Sequence, residues 1–252
     1  MNIDYPRPEQ IPQLRSLWKA AFGDGDEFLD PFFEIAYAPE HCRCVNVDGR
    51  IAGALYWFDT FCGGQRFAYV YAVATDPEFR GRGICTLLME DTARLLREQG
   101  YDGILLYPAS EGLSGMYGKM GYGRCTTVSE FRCEAAGEPA ALRRIEKEEY
   151  ARLRRNYLPA GGVIQEGPML EFLATQAEFY AGREYVLAVS IGENELHCHE
   201  LLGSLSDAPG IVRALGKKCG FFRTWGSEKS FVMGYPLSGD CVNPVYFGLP
   251  LD

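Results

Sequence analysis

Residues 73–84 read Val-Ala-Thr-Asp-Pro-Glu-Phe-Arg-Gly-Arg-Gly-Ile, and few backbone paths accommodate that order. The largely apolar run 66–75 is strand-like and, being apolar on both faces, is expected at the centre of a sheet. Asp76-Pro77 ends it, because proline has no N–H to offer a neighbouring strand. Gly81 and Gly83 then permit a sharp turn. Ile84, Leu87, Leu88, Ala93, Leu95 and Leu96 mark a helix that stops near Gly100, and residues 103–107 form another apolar strand. A strand–helix–strand unit closes as a right-handed crossover between parallel strands. The fold class expected is therefore α/β, with a mixed sheet covered by helices.

The flanking pattern agrees. Ile11, Leu14, Leu17, Trp18 and Ala21 recur at helical spacing, and Phe28, Phe32, Phe33 and Ala36 indicate a second short helix. Strands are expected at 41–47 and 51–60, with turns at Asp48-Gly49 and at 62–65. A short helix at 112–120 and a strand or strand pair at 122–133 follow. Ala135 to Pro139 reads as a linker, which divides the chain into domains 1–134 and 140–252. Beyond it, helices at 141–157 and 169–180, a hairpin at 185–191 and 195–202, a helix at 211–219 and strands at 221–223 and 230–235 repeat part of the first pattern without its glycine loop. A smaller, degenerate duplicate is expected.

The net charge of -9 argues against nucleic acid, whose phosphates require a basic stripe. The run Arg143, Arg144, Lys147, Arg152, Arg154 and Arg155 is broken by Glu146, Glu148 and Glu149, as on a solvated helix face. No signal-like start and no stretch of roughly 20 apolar residues is present, so a cytoplasmic protein without a membrane partner is expected. Nine scattered cysteines fit reduced thiols. Cys42 with Cys44, and His197 with His199, share strand faces, but neither has zinc-knuckle spacing, and no metal is expected. A homo-oligomer is compatible with the sequence.

The turn carries the chemistry. Its amides and those of the first helical turn point into one space, where the helix dipole favours an anion and Arg80 and Arg82 add charge. Such a loop suits a pyrophosphate; a tight turn with two solvated arginines is the bland alternative. It is no Walker loop, and a dinucleotide fingerprint would need glycine at Thr86.

Arg80-x-x-Gly83-x-Cys85 resembles the pyrophosphate loop of the GNAT superfamily of N-acetyltransferases, with cysteine where glycine or alanine is usual. Ala109-Ser110-Glu111-Gly112, then Met116-Tyr117-Gly118-Lys119-Met120-Gly121-Tyr122-Gly123, is similar to the Eis-like (enhanced intracellular survival) branch, as is Leu17-Trp18 with Phe22-Gly23-Asp24. Met120 replaces an aromatic residue of that pattern. The resemblance implies acetyl-CoA as cosubstrate, and an acetyl group moved by direct attack to a primary amine of a small molecule or a lysine side chain. Val73, Ala74 and Thr75 would pair with pantetheine, and Arg80, Gly81, Arg82, Gly83, Ile84, Cys85 and Thr86 would hold the pyrophosphate. Ser110 and Glu111 would line the groove. Tyr117 would be the general acid, at the start of the strand after the short helix. The branch also implies a second GNAT-like domain and, in many members, a sterol-carrier-like third one for which this chain ends too early. There the terminal carboxylate enters the site; here Asp252 is the terminus, and deprotonation through water is expected instead. Cys62, Cys85 and Cys125 read as structural. The alternative function is a non-catalytic acyl-CoA-binding or regulatory module.

Overall fold

The computed structural model describes residues 1–251. In chain order the elements are β1 (Asn2–Asp4), α1 (Ile11–Phe22), α2 (Asp26–Pro31), β2 (Cys42–Val47), β3 (Arg50–Cys62), β4 (Gln65–Thr75), α3 (Ile84–Glu98), β5 (Gly103–Leu106) and α4 (Glu111–Lys119). There follow β6 (Gly123–Arg124), β7 (Thr127–Glu134), β8 (Arg143–Ile145), α5 (Lys147–Tyr157), β9 (Ile164–Gln165), α6 (Pro168–Leu173), β10 (Glu178–Ala181), β11 (Tyr185–Ile191) and β12 (Glu195–Gly203). The chain closes with α7 (Ala208–Ala214), β13 (Cys219–Trp225), β14 (Lys229–Ser230) and β15 (Met233–Pro236). No helix among the described residues is long and apolar enough to cross a membrane.

The chain forms two compact units. The first comprises residues 1–123 and 233–242. Its sheet runs β1-β2-β3-β4-β5-β15, antiparallel except for the parallel step from β4 to β5. Helix α3 spans that step, as the strand–helix–strand pattern requires. Asp48-Gly49 and Gly63-Gly64 all have positive φ, the geometry of hairpin turns whose twist matches the strands. Val45, Leu55, Trp57, Leu88, Leu96 and Leu106 are buried in one core under α3.

The second unit comprises residues 124–232 and 243–251 of the described chain. Its sheet runs β14-β7-β13-β12-β11-β10-β8, and only β12 and β13 are parallel. Helix α7 connects that parallel pair and packs Ile211 and Val212 against Leu187, Val189, Leu196 and Phe222. Both units thus follow one plan: an antiparallel run, one parallel step under a helix, and antiparallel pairing beyond it. Beneath α5 lies a buried polar network. Arg154, 2 % exposed, donates to both carboxylate oxygens of Glu200, 0 % exposed, at 2.6 and 3.0 Å. Tyr150 and Tyr246 donate to the same carboxylate at 2.6 and 2.9 Å.

The structure departs from the linear division at 134 and 140. Strand β7 pairs with β13 in the second unit, residue for residue from Glu134↔Cys219 to Val128↔Trp225. The strand paired with β5 in the first sheet is β15, near the other end of the chain. Strands β8 and β10 occupy the ends of stretches whose spacing reads as helix, where they pair with each other and with β11.

Candidate active site

Strand β4 is paired with β5 only from Phe67 to Val70. Among the described residues the two strands pair no further, and Val73, Ala74 and Thr75 of the stretch beyond line a cleft. A bulge falls in the same stretch: Ala54 faces Ala74 and Tyr56 faces Tyr71, so two residues of β4 oppose one of β3. Within it Ala72 takes φ of 49°, an uncommon left-handed conformation for a residue with a Cβ. Strain of this kind is held by surrounding structure and gathers at functional sites.

The turn after β4 is built locally. Asp76 accepts a hydrogen bond from the Glu78 amide at 2.9 Å and caps a short turn in which Phe79 is buried. Gly81 and Gly83 have φ of 74° and 75°, with open space where a Cβ would stand. The glycines are therefore required by backbone conformation rather than by crowding. Gly83 is the N-cap of α3, and no side chain caps the helix, so its first amides keep their donors for another partner. Arg80 is exposed and anchors its Nε on the Thr75 carbonyl at 3.3 Å.

Strand edge, turn and helix start open on one cleft of about 530 Å³. Val73, Ala74, Thr75, Arg80, Gly81, Gly83, Ile84, Cys85, Thr86 and Tyr117 all line it. Three residues singled out in the sequence do not. Arg82 turns its guanidinium over the Phe79 ring, 5.2 Å from the centroid. Ser110 caps α4, accepting from the Leu113 amide at 3.3 Å, and Glu111 is the first residue of that helix. Sequence reasoning missed Ala21 and Phe22 from α1, Phe79 from the turn, and Leu113 and Met116 from α4. The i, i+3, i+4 spacing of Leu113, Met116 and Tyr117 was the available signal for α4.

Tyr117 lies inside α4, not at the start of a strand. The helix continues to Lys119 because nothing before Gly121 breaks it. The side chain is 6 % exposed, and its hydroxyl makes no hydrogen bond among the described residues. Burial pushes the phenol well above its ordinary ionisation range, with a smaller contribution from Cys85. Burial likewise pushes the Cys85 thiol up, which disfavours the thiolate a nucleophile needs. Asp252 lies outside the described residues.

One further residue sets the site. A Cβ on Gly53 of β3 would stand 2.8 Å from Ile84 Cγ2 and 3.1 Å from the Ala74 carbonyl. Gly53 thus lets the first turn of α3 sit close on the sheet. Ile84 is branched at Cβ and cannot swing aside freely. Gly53→Ala is expected to destabilise by roughly 1–3 kcal/mol through overpacking, read as a lower urea midpoint. A midpoint unchanged from the parent would refute the close-packing account.

Residues 2–125 match the family model of the acetyltransferase (GNAT) domain. No similar sequence was found among curated proteins. Solved structures resemble the chain over nearly its whole length. A GCN5-related N-acetyltransferase from Anabaena variabilis ATCC 29413 has TM-score 0.74 at 17 % identity, covering 94 % of this chain and 73 % of that one. Eis1 from Mycobacterium abscessus has TM-score 0.66 at 13 % identity, covering 94 % and 74 %. A tandem GNAT protein from the clavulanic acid biosynthesis pathway has TM-score 0.56 at 12 % identity, covering 95 % and 100 %. At these identities the likeness is one of fold. The chain accordingly has the two-domain GNAT fold, with residues 2–125 the part that matches the GNAT acetyltransferase domain model.

Proposed function

We propose that the protein is a cytoplasmic, acetyl-CoA-dependent N-acetyltransferase of the Eis-like branch, acting on a primary amine of a small molecule or a lysine side chain. One observation carries this reading: the last residues of β4, the uncapped start of α3 and the Tyr117 side chain face the same cleft. Acetyl-CoA supplies an activated acyl group, a polyanionic pyrophosphate and an amide-bearing arm between them. The residues present fit each part. Val73 to Thr75 offer the backbone groups of an unpaired strand edge to the arm's amides. Gly81 to Thr86 offer amides and a helix N-terminus to the pyrophosphate, with the Arg80 charge beside them.

Held in this way, the thioester meets the amine already oriented, which removes much of the entropic barrier to direct attack. Tyr117 remains protonated at neutral pH because burial disfavours its phenolate. It can therefore donate to the sulfur as the carbon–sulfur bond breaks. Ser110 and Glu111 shape the start of α4, which presents Leu113, Met116 and Tyr117 to the cleft.

A second reading, a non-catalytic acyl-CoA-binding module, is favoured by one fact: no carboxylate or imidazole lines the cleft among the described residues. A thiol-release assay with acetyl-CoA against polyamines, aminoglycosides and lysine peptides separates the two. Release that depends on an amine supports transfer, and binding without release supports the module. Acetyl-CoA at about 100 times its Kd is expected to stabilise the native state by ~2.7 kcal/mol, seen as a raised Tm. Arg80→Ala should shrink that rise. An unchanged Tm with saturating acetyl-CoA would remove both readings.

A further inference from the structure

Tyr122 packs against Tyr117, which lines the cleft. Gly121, at φ of 94°, turns the chain out of α4, and the Tyr122 amide donates to the Tyr117 carbonyl at 3.1 Å. The two rings meet edge to face, with centroids 5.8 Å apart. On its other side Tyr122 meets Tyr235, 5.1 Å away between centroids. The side chain is only 6 % exposed, yet its hydroxyl finds no hydrogen-bond partner among the described residues.

A stranded buried hydroxyl is destabilising, and phenylalanine would fill the same space without it. Packing therefore accounts for the ring but not for the oxygen. The neighbouring chemistry accounts for the oxygen. A buried phenol that gives up its proton leaves a poorly solvated phenolate, and burial makes this acute for Tyr117. A donor near that phenolate would relieve the penalty, since hydrogen bonds to a charged oxygen are the strong ones. Tyr122 is the adjoining residue with an unused O–H.

We propose that Tyr122 is a positioning residue for acyl transfer, its O–H donating to the Tyr117 oxygen while Tyr117 protonates the departing sulfur. The inference rests on the reading of Tyr117 as the acid. In the step, the carbon–sulfur bond breaks and sulfur keeps the electron pair. Sulfur takes the Tyr117 proton, and Tyr122 shares its own proton without losing it. The proton shed by the attacking nitrogen returns through solvent to Tyr117, so the cycle balances. As the structure stands neither hydroxyl bonds the other, and catalytic hydrogen bonds often tighten only in the reacting complex.

Tyr122→Phe should lower kcat by about tenfold or more while the KM for acetyl-CoA stays within about twofold. Its Tm should be unchanged or higher, which distinguishes the effect from damage to the fold. Joined to Tyr117→Phe, it should add nothing to the loss from Tyr117→Phe alone. A second measurement needs no turnover. With 2,3,5-trifluorotyrosine in place of Tyr117, ¹⁹F NMR follows that phenol's ionisation, and Tyr122→Phe should move it up by about one pH unit. An unmoved titration overturns the proposal, as does an unchanged kcat in a protein that transfers. If the parent protein transfers to no amine, the transferase reading fails while the ¹⁹F titration still decides the role of Tyr122.

Discussion

Tyr117→Phe is expected to lower kcat by about 10²- to 10⁴-fold and to leave acetyl-CoA binding nearly intact. The change removes one oxygen from a ring that is otherwise packed against Tyr122 and the core. The hydroxyl has no hydrogen-bond partner among the described residues, so the substitution leaves no orphaned group behind there. On the proposed reading, grip on the cosubstrate belongs to backbone groups of β4 and of the turn before α3, which the substitution does not touch. The effect should therefore fall on kcat, the signature of an interaction made only in the transition state. Because burial holds the phenol above its ordinary range, its proton is present throughout neutral and mildly alkaline pH. No loss of rate between about pH 7 and pH 9 should trace to this group. Steady-state kinetics with a thiol-release readout measures the first point, and calorimetric titration with acetyl-CoA the second. A Phe variant as fast as the parent would place the proton donor elsewhere.

Glu200→Ala should destabilise the second unit by about 3–5 kcal/mol, a large part of the roughly 5–15 kcal/mol that holds a typical domain. The carboxylate sits at the centre of the network below α5, where Arg154, Tyr150 and Tyr246 all donate to it. Arg154 also reaches the Val163 carbonyl at 2.9 Å and Gln165 at 3.0 Å, and Gln165 holds the Leu249 carbonyl at 2.6 Å. Removing Glu200 leaves a buried cation unpaired and two buried phenols without an acceptor. Glu200→Gln keeps an acceptor but not the charge, and should fall between parent and alanine. Urea unfolding followed by circular dichroism measures the order. An alanine variant within about 1 kcal/mol of the parent would mean that the network is dispensable.

The passage from β4 through the turn to α3 was legible because its instructions are local. Proline ends a strand wherever it stands, and Gly81 and Gly83 supply positive φ that few residues tolerate. The hairpin at Asp48-Gly49 was legible for the same reason. What the sequence does not announce is which distant strand lies alongside which. Residues 127–134 alternate like any strand, and nothing in that alternation distinguishes β5 from β13 as a partner. Residues 143–145 and 178–181 were absorbed into neighbouring helical patterns because short strands carry too few residues to reveal a period of two. At the cleft, the motif pointed to Tyr117, whereas Ala21, Phe22 and Phe79 arrive by packing alone. The bulge at Ala72, an ordinary residue in an unusual conformation, likewise has no sequence signal.

The exchange of strands bears on how this chain is made. During synthesis β5 emerges long before β15, so the sheet that carries the cleft has a raw edge until more than a hundred further residues have left the ribosome. Such distant pairing slows folding and exposes an adhesive edge meanwhile. A fragment cut at the Ala135 to Pro139 segment would retain that edge permanently and carry β7 without its partner. An expression clone meant to isolate the unit that carries the cleft should therefore join residues 1–123 by a short spacer to 233–242 rather than take a single contiguous piece.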